Sequence, residues 1–348
     1  MTVTPYHLHV RLDNEQCQIP NVPFSPAWWV PGPHAQTLWG KIGRHPMLPD
    51  GQMERWDTPD GDFLDVFRTR APKSAPHLIV LHGLEGTLRS HYARGILQRA
   101  VAAGWGSDLL LFRGCGNEPN RTARFYHSGE TGDLAQTVER IVAEYPLAPI
   151  VLAGYSLGGN VLLKWLGEEA AHLPSNICGA AAVSVPFDLE AGARYIGRGL
   201  SRIYERHFLR TLKAKAAVKL RRFPGLFDPD ALTRARTIIA FDDAVTAPVH
   251  GFDSASDYYT RSSSAQFLPK IQIPTLLISA YDDPFLPAEV LRSVALLARE
   301  NPALCPLFSP HGGHVGFVSG RVPGRPRYDS EDRIMSFFAA CVEFPPIK

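Results

Sequence analysis

The chain has 348 residues, of which 45% are hydrophobic and 20% are charged, and its formal net charge is +2. This composition is that of a globular protein with one large core and room for a second, smaller domain. It excludes a strongly basic nucleic-acid-binding chain, and no stretch approaches the roughly 20 apolar residues that a membrane span requires. Residues 1–8 contain no basic segment followed by an apolar run, so we expect a cytoplasmic protein.

The five cysteines predict neither a disulfide framework nor a zinc site. Their number is odd, they are scattered, and none stands in a Cys-x-x-Cys pair. We therefore expect buried free thiols, with no metal and no cofactor. The cysteines are Cys17, Cys115, Cys178, Cys305 and Cys341.

Residues 1–52 are predicted to form an N-terminal strap. Residues 20–40 are too rich in proline for a regular element and too aromatic to remain in solvent. We expect this segment to pack over the domain. For His34 and Gln36 we expect packing or turn roles, with positions on the rim of an active site as the alternative.

Strand-like and helix-like segments alternate over residues 53–185. Alternation of this kind indicates a mostly parallel sheet with helices on both faces, whose ligand lies at the carboxyl ends of the strands. We predict the first part of an α/β core here. Its predicted strands are 63–67, 78–81, 109–112, 150–155 and 180–185, and its predicted helices lie near 90–103 and 133–144.

The most specific motif is Gly154-Tyr155-Ser156-Leu157-Gly158, between an apolar strand and a helix-forming stretch. It is typical of a nucleophile elbow, in which a sharp turn exposes the serine oxygen and glycines stand where a Cβ would clash. The alternative is a structural tight turn. As a nucleophile, Ser156 requires two N–H donors for an oxyanion. We assign them to Leu157 and to Leu84, which lies in the loop 82–86 after an earlier strand.

Residues 186–271 are predicted to form a helical cap inserted between two core strands. Between residues 194 and 222 stand ten lysines and arginines and one acidic residue, Glu205. Acidic groups of the core, an anionic lipid surface or an acidic substrate would offset this charge; the alternative is a solvated helix face with its apolar side on the core. The arginines that recur at every fourth position are Arg198, Arg202, Arg206 and Arg210.

The second part of the core, residues 272–348, supplies an acid and a histidine in the order that the elbow requires. An apolar strand ends in Asp282-Asp283-Pro284. We choose Asp283 as the acid of the triad, because it begins an Asp-x-x-apolar-Pro pattern. Asp282 is then assigned a turn or cap role. Of two later histidines we choose His314, which lies between Gly313 and a small apolar segment, and assign His311 to the loop. A metal site on this glycine loop is not expected.

With the elbow, the Leu-His-Gly-Leu-Glu-Gly loop and the Gly-Gly-His-Val-Gly-Phe segment, the chain closely resembles the YheT-like hydrolases of the α/β-hydrolase superfamily, which include EMB8-like members. The resemblance covers nearly the whole chain. It implies an α/β-hydrolase fold with a triad of Ser156, Asp283 and His314. Further family-type segments are 34–37, 112–115, 125–131, 241–243, 250–252, 258–259 and 282–285.

The expected function is hydrolysis of carboxylic esters of short- to medium-chain acyl groups or lipids, through an acyl-enzyme on Ser156. One alternative is an acyltransferase or thioesterase that moves acyl groups to alcohols. Another, of a different class, is a binding protein that kept the fold and lost turnover. Expected partners are a small-molecule ester and, weakly, an anionic membrane surface through the basic cap, but no nucleic acid. The sequence leaves the oligomeric state open.

Overall fold

A computed structural model describes residues 23–343. Its main sheet has eight strands in the order β1-β2-β4-β3-β5-β6-β7-β8, and a separate pair is formed by β9 and β10. Pairs β1/β2 and β2/β4 are antiparallel and the other pairs of the main sheet are parallel. The strands are β1 Gln52–Asp57, β2 Phe63–Thr69, β3 His77–Leu81, β4 Gly106–Leu111, β5 Ile150–Tyr155, β6 Ile177–Val183, β7 Thr275–Ala280, β8 Leu304–Ser309, β9 Val318–Ser319 and β10 Arg327–Tyr328.

Twelve α-helices accompany these strands within the described residues. Helix α4 follows β5 directly, and α5 to α10 all lie between β6 and β7. The helices are α1 Gly32–Ile42, α2 His91–Ala102, α3 Gly132–Glu144, α4 Leu157–Glu168, α5 Leu189–Ile196, α6 Arg202–Arg222, α7 Pro229–Arg234, α8 Ile238–Phe241, α9 Ala247–His250, α10 Ala255–Ser262, α11 Ala288–Glu300 and α12 Asp329–Glu343.

The parallel strands are covered on both faces, which confirms the predicted α/β architecture. Every residue of β3 to β7 is buried, as expected of strands with helices on both sides. Along β3, Ile79 and Leu81 pack in a cluster with α3, α4 and α11, whereas Leu78 and Val80 pack with α2 and α12. This alternation divides the core into two hydrophobic layers on opposite faces of one sheet.

The segment between β6 and β7 is mostly helical and carries its own hydrophobic cluster, which includes Leu209, Phe227 and Phe241. Its longest helix, α6, has 21 residues. The end of α6 is attached to the core loop that follows β4: Lys219 Nζ donates to the carbonyl oxygens of Asn120 and Thr122, and Arg222 donates to the Asn120 oxygen at 2.8 Å. The division of the chain into strap, core and cap remains our proposal.

Two expectations about the first part of the chain are wrong. Helix α1 occupies Gly32–Ile42, where we expected no regular element; its prolines precede or begin the helix, where a missing N–H costs nothing. Strand β1 was not predicted. Only Trp56 of its six residues is buried, so this antiparallel edge strand has no continuous apolar pattern. Residues 1–22 of the strap lie outside the described residues.

The cysteines follow the expectation in part. Cys115, Cys178 and Cys341 are buried and free. Cys305 is disulfide-bonded, so the expectation of free thiols is wrong at this position. The reason is that spacing along the chain does not report which cysteines the fold brings together. Cys17 lies outside the described residues.

Candidate active site

Ser156 stands in the sharp turn that joins β5 to α4. Its backbone has φ 51° and ψ −119°, a strained conformation for a residue with a side chain. A Cβ on Gly154 would lie 2.6 Å from the Gly158 carbonyl oxygen, and a Cβ on Gly158 would lie 2.4 Å from the His82 carbonyl oxygen. Neither position has room for a larger residue, which is the steric basis of the Gly-x-Ser-x-Gly spacing.

A continuous chain of hydrogen bonds connects Ser156, His314 and Asp283. The distance from Ser156 Oγ to His314 Nε2 is 3.0 Å, and His314 Nδ1 lies 2.8 Å from Asp283 Oδ2. Ser156 is partly buried, and Asp283 is only 1% exposed. The structure therefore brings together three side chains that are up to 158 positions apart, in the geometry of a nucleophile, a base and an orienting acid.

The two adjacent aspartates occupy different positions. The Oδ1 atom of Asp283 also accepts a hydrogen bond from the Phe285 N–H at 2.8 Å, which leaves Oδ2 turned toward His314. Asp282 accepts from the Gly313 N–H at 2.9 Å, and its Oδ2 lies 3.2 Å from Nδ1 of the exposed His311. The Asp282 side chain thus holds the loop that carries His314, and it does not contact His314 itself.

The segment that carries His314 is fixed by side chains to which the sequence analysis gave no role. Its backbone N–H donates to Thr37 Oγ1 at 2.9 Å, and the next N–H, of Val315, donates to Ser184 Oγ at 3.0 Å. The imidazole stacks on Phe285 with ring centroids 4.2 Å apart. Helix α1 of the strap therefore takes part in building the site. Only the family-type segment 34–37 could have pointed to Thr37.

His34 and Gln36 have different neighbours. Gln36 is 1% exposed and makes three hydrogen bonds with the backbone, two with Val318 and one with Val30, which is the expected packing role. His34 shares a 3.1 Å hydrogen bond with the Tyr204 hydroxyl of α6 and lies on the wall of the cavity beside Ser156. The alternative of a position on the rim therefore holds for His34, because α1 packs beside the start of α6.

The loop 82–86 lies directly against Ser156. A Cβ on Gly83 would be 3.1 Å from Ser156 Cβ, closer than side chains normally approach. The Gly83 N–H donates to the Tyr92 hydroxyl at 2.9 Å, and the Glu85 N–H donates to the Tyr126 hydroxyl at 2.8 Å. Between these anchored groups, the Leu84 N–H has no acceptor within residues 23–343.

His82 anchors the start of this loop as a neutral ring. Its Nε2 accepts the Phe112 N–H at 3.1 Å, so the ring proton is on Nδ1, which donates to the Gly83 carbonyl oxygen at 2.7 Å. Complete burial lowers the pKa of His82 to about 4. The histidine is therefore uncharged near neutral pH and acts through its two hydrogen bonds.

The second candidate donor, Leu157, is the first residue of α4. The N–H groups in the first turn of a helix lack helical acceptors, and the helix dipole adds positive potential there. The loop 82–86 and the start of α4 thus present two backbone donors beside the serine.

A cavity of about 850 Å³ adjoins Ser156 and extends along α5 and α6, in the segment between β6 and β7. Its wall is mainly apolar, and its volume is within the range of small-molecule sites. Tyr204, Phe208 and Leu212 of α6 face this cavity. Leu200 and Ile203, which fall on the same apolar side of this segment, are 67% and 64% exposed, so the alternative of an apolar side on the core does not hold for these two residues. Within residues 23–343 there is no group of three or more His, Cys, Asp or Glu side chains placed to hold a metal ion.

Comparison with known families agrees with this architecture. The alpha/beta hydrolase fold family matches residues 76–320, well over half of the chain. The esterase Pf2001 of Pyrococcus furiosus has the same fold, with a TM-score of 0.53 and 16% identity over 84% of this chain and 91% of that one. The chain belongs to the alpha/beta hydrolase family.

Two relatives show more closely where this chain belongs within that family. "Putative esterase YheT" of Escherichia coli K12 is 40% identical over 89% of this chain and 91% of its own length. Embryogenesis-associated protein EMB8 of Picea glauca is 32% identical over 78% of this chain, and the match covers 60% of the length of EMB8. The resemblance to YheT-like and EMB8-like hydrolases is therefore confirmed.

Replacing Gly158 with alanine tests the steric basis of the elbow. The added methyl group meets backbone atoms at the end of β3, so we expect the free energy of unfolding in urea to fall by at least about 1–3 kcal/mol. Gly192→Ala is the matched control, since Gly192 is also helical but its nearest contact would be 3.7 Å away. That variant should be as stable as the wild type or up to about 1 kcal/mol more stable. Equal stability of the two variants would contradict this account.

Proposed function

We propose that the protein hydrolyses carboxylic esters through an acyl-enzyme on Ser156. The hydrogen-bond chain from Ser156 through His314 to buried Asp283 carries the proposal, because it is the arrangement that activates a serine for acyl transfer. The name of the Escherichia coli relative points to the same reaction. Ester hydrolysis is thus the function that the site supports best.

In the first half of the proposed reaction, His314 Nε2 takes the Ser156 proton while the oxygen attacks the ester carbonyl carbon. The tetrahedral oxyanion accepts hydrogen bonds from the Leu84 and Leu157 N–H groups. Asp283 holds the Nδ1–H tautomer and stabilises the imidazolium. His314 then gives the proton to the leaving alcohol oxygen as the C–O bond breaks.

In the second half of the proposed reaction, water takes the place of the serine and the same steps occur again. His314 takes a proton from water, hydroxide adds to the acyl carbon, and the Ser156 oxygen leaves with the proton, which releases the carboxylic acid. The acyl or alcohol part of the ester occupies the mainly apolar cavity of about 850 Å³. A short- to medium-chain acyl ester or a lipid matches this chemistry.

Fluorophosphonate labelling tests the nucleophile. The wild-type protein should react covalently and Ser156→Ala should not, because the reagent phosphonylates only an activated serine oxygen. Hydrolysis of p-nitrophenyl esters of increasing chain length then measures the size of the acyl site. A folded wild type that neither labels nor hydrolyses would refute the proposal in favour of a binding protein, and new ethyl esters formed in added ethanol would indicate acyl transfer.

Asparagine substitutions at the two adjacent aspartates test the choice of the acid. Asp283→Asn removes the carboxylate from His314, and we expect kcat to fall by about 10⁴-fold. In Asp282→Asn the loop loses a charged acceptor but His314 keeps its partner, so the loss should stay below about tenfold. Steady-state kinetics on one p-nitrophenyl ester compares the two variants. Similar losses would show that Asp283 has no special role.

We further propose that the mouth of the cavity contacts an anionic lipid surface. Arg198, Arg202, Arg206 and Arg210 are exposed, and no carboxylate in the described part of the chain pairs with them. The one acidic residue of the segment, Glu205, is buried and accepts the Ile238 N–H. The acidic groups of the core therefore do not offset the charge of these four arginines.

Exposed apolar residues lie beside these arginines. Leu200 and Ile203 of the cap and Ile42 of α1 are 64–70% exposed, and the first two line the cavity. An apolar rim with surrounding arginines complements an anionic interface, where apolar side chains enter the headgroup region and arginines meet phosphates. No helix among the described residues is long and apolar enough to cross a membrane.

Sedimentation with liposomes tests this contact. The wild type should bind phosphatidylglycerol vesicles better than phosphatidylcholine vesicles, and added salt should weaken the binding. Arg202→Gln/Arg206→Gln should lower the affinity by roughly fivefold per arginine, whereas Arg292→Gln/Arg299→Gln on exposed positions of α11 should change it little. No binding at any salt concentration would remove the proposal.

A further inference from the structure

The loop that carries the Leu84 N–H also carries a carboxylate. Glu85 follows Leu84 directly, has φ 55°, and its side chain is only 9% exposed. It lies on the wall of the cavity that contains Ser156. A negative charge at this place opposes the negative charge that develops on the carbonyl oxygen, so it requires compensation.

Two groups bind the Glu85 carboxylate. The Tyr126 hydroxyl donates to Oε1 at 2.9 Å, and Lys215 Nζ of α6 donates to the same oxygen at 2.8 Å. Tyr126 keeps its proton, because burial raises its pKa well above the ordinary value. Lys215 also lies 3.4 Å from Cys115 Sγ, but burial raises the pKa of that thiol to about 11, so it carries no charge near neutral pH. Glu85 is therefore the counter-ion of Lys215.

We infer that Lys215 is a positioning residue for the oxyanion site: it neutralises Glu85 and holds the loop so that the Leu84 N–H faces Ser156. The inference rests on the proposed function. Lys215 belongs to the cap, whereas Glu85 belongs to the core, so the ion pair makes the cap part of the arrangement that stabilises the transition state.

Loss of Lys215 would act on the oxyanion site both electrostatically and through the conformation of the loop. Without Lys215, the Glu85 carboxylate remains on the wall of the cavity that contains Ser156 with only a neutral hydroxyl as partner, and such a poorly exposed charge is costly. The carboxylate then repels the transition state or turns toward water. If the Glu85 side chain turns toward water, it pulls on the strained backbone of Glu85, which has positive φ, and the adjacent Leu84 N–H shifts with it.

The cap residues near Lys215 provide a matched control. Lys213 lies two positions earlier on α6, and its Nζ donates to the Thr233 and Ala235 carbonyl oxygens at 2.9 and 3.0 Å, both within the cap. Lys213→Met therefore removes a charge and cap hydrogen bonds but leaves the loop 82–86 untouched. Lys215→Met removes the charge that faces Glu85.

The experiment compares Lys215→Met, Lys213→Met and the double variant Glu85→Gln/Lys215→Met. Kinetics on a short p-nitrophenyl ester give kcat and KM, labelling by a fluorophosphonate reports the nucleophile, and circular dichroism with thermal unfolding reports the fold. Lys215→Gln replaces Lys215→Met if the latter does not fold. We expect Lys215→Met to lower kcat by at least about tenfold with KM changed less than about threefold, since one oxyanion donor is worth about 10²–10³ in kcat.

Rescue is the decisive observation. Glu85→Gln in the Lys215→Met background removes the uncompensated charge and should restore most of kcat, which a purely structural loss would not do. Equal losses of kcat in Lys215→Met and Lys213→Met, or no recovery of kcat in the double variant, would overturn the inference. The proposed function still holds in that case if the wild type is labelled and active. A wild type without label or turnover would overturn both.

Discussion

The close approach of the first turn of α4 to the end of β3 is the constraint on which the site depends. Gly158 packs against the His82 carbonyl oxygen with no room for a Cβ, and Gly83 packs against Ser156 with almost none. Because two loops meet at this distance, the serine oxygen and the backbone donors proposed for the oxyanion lie beside one another. A parallel sheet brings the carboxyl ends of β3 and β5 to the same edge. The glycines then allow the two loops to meet, because they have no Cβ that would clash.

Charge around the serine is balanced locally. His82 is neutral through burial, and the Glu85 carboxylate is paired with Lys215. Arg202, Arg206 and Arg210 of α6 are exposed and have no carboxylate partner among the described residues. One helix therefore has two electrostatic roles in our proposals: its exposed arginines face an anionic surface, and its partly buried lysine faces the core. A charge inside the low-dielectric cavity acts on the reaction far more strongly than one in solvent.

Sequence reasoning succeeded where a local pattern has a local cause. The buried strands are continuous apolar runs, so the sheet and its two helical layers were predictable. The same reasoning failed for α1 and β1. Prolines at the start of α1 obscured a helix that tolerates them there, and β1 is an edge strand with one buried residue, Trp56, and no apolar alternation. The disulfide of Cys305 had no local signal at all.

By itself, the sequence determined the fold class and the sharp turn at Ser156, because apolar runs and the Gly-x-Ser-x-Gly spacing are patterns of neighbouring residues. It also offered an acid and a histidine after the serine, each from a separate local motif. Only the tertiary structure decided that Asp282 binds the Gly313 N–H, that Thr37 and Ser184 hold the backbone at His314 and Val315, and that Phe285 stacks on the imidazole. It alone paired Lys215 with Glu85, 130 positions away. These contacts join segments whose approach depends on packing of the whole core, and no spacing along the chain encodes a distance of that kind.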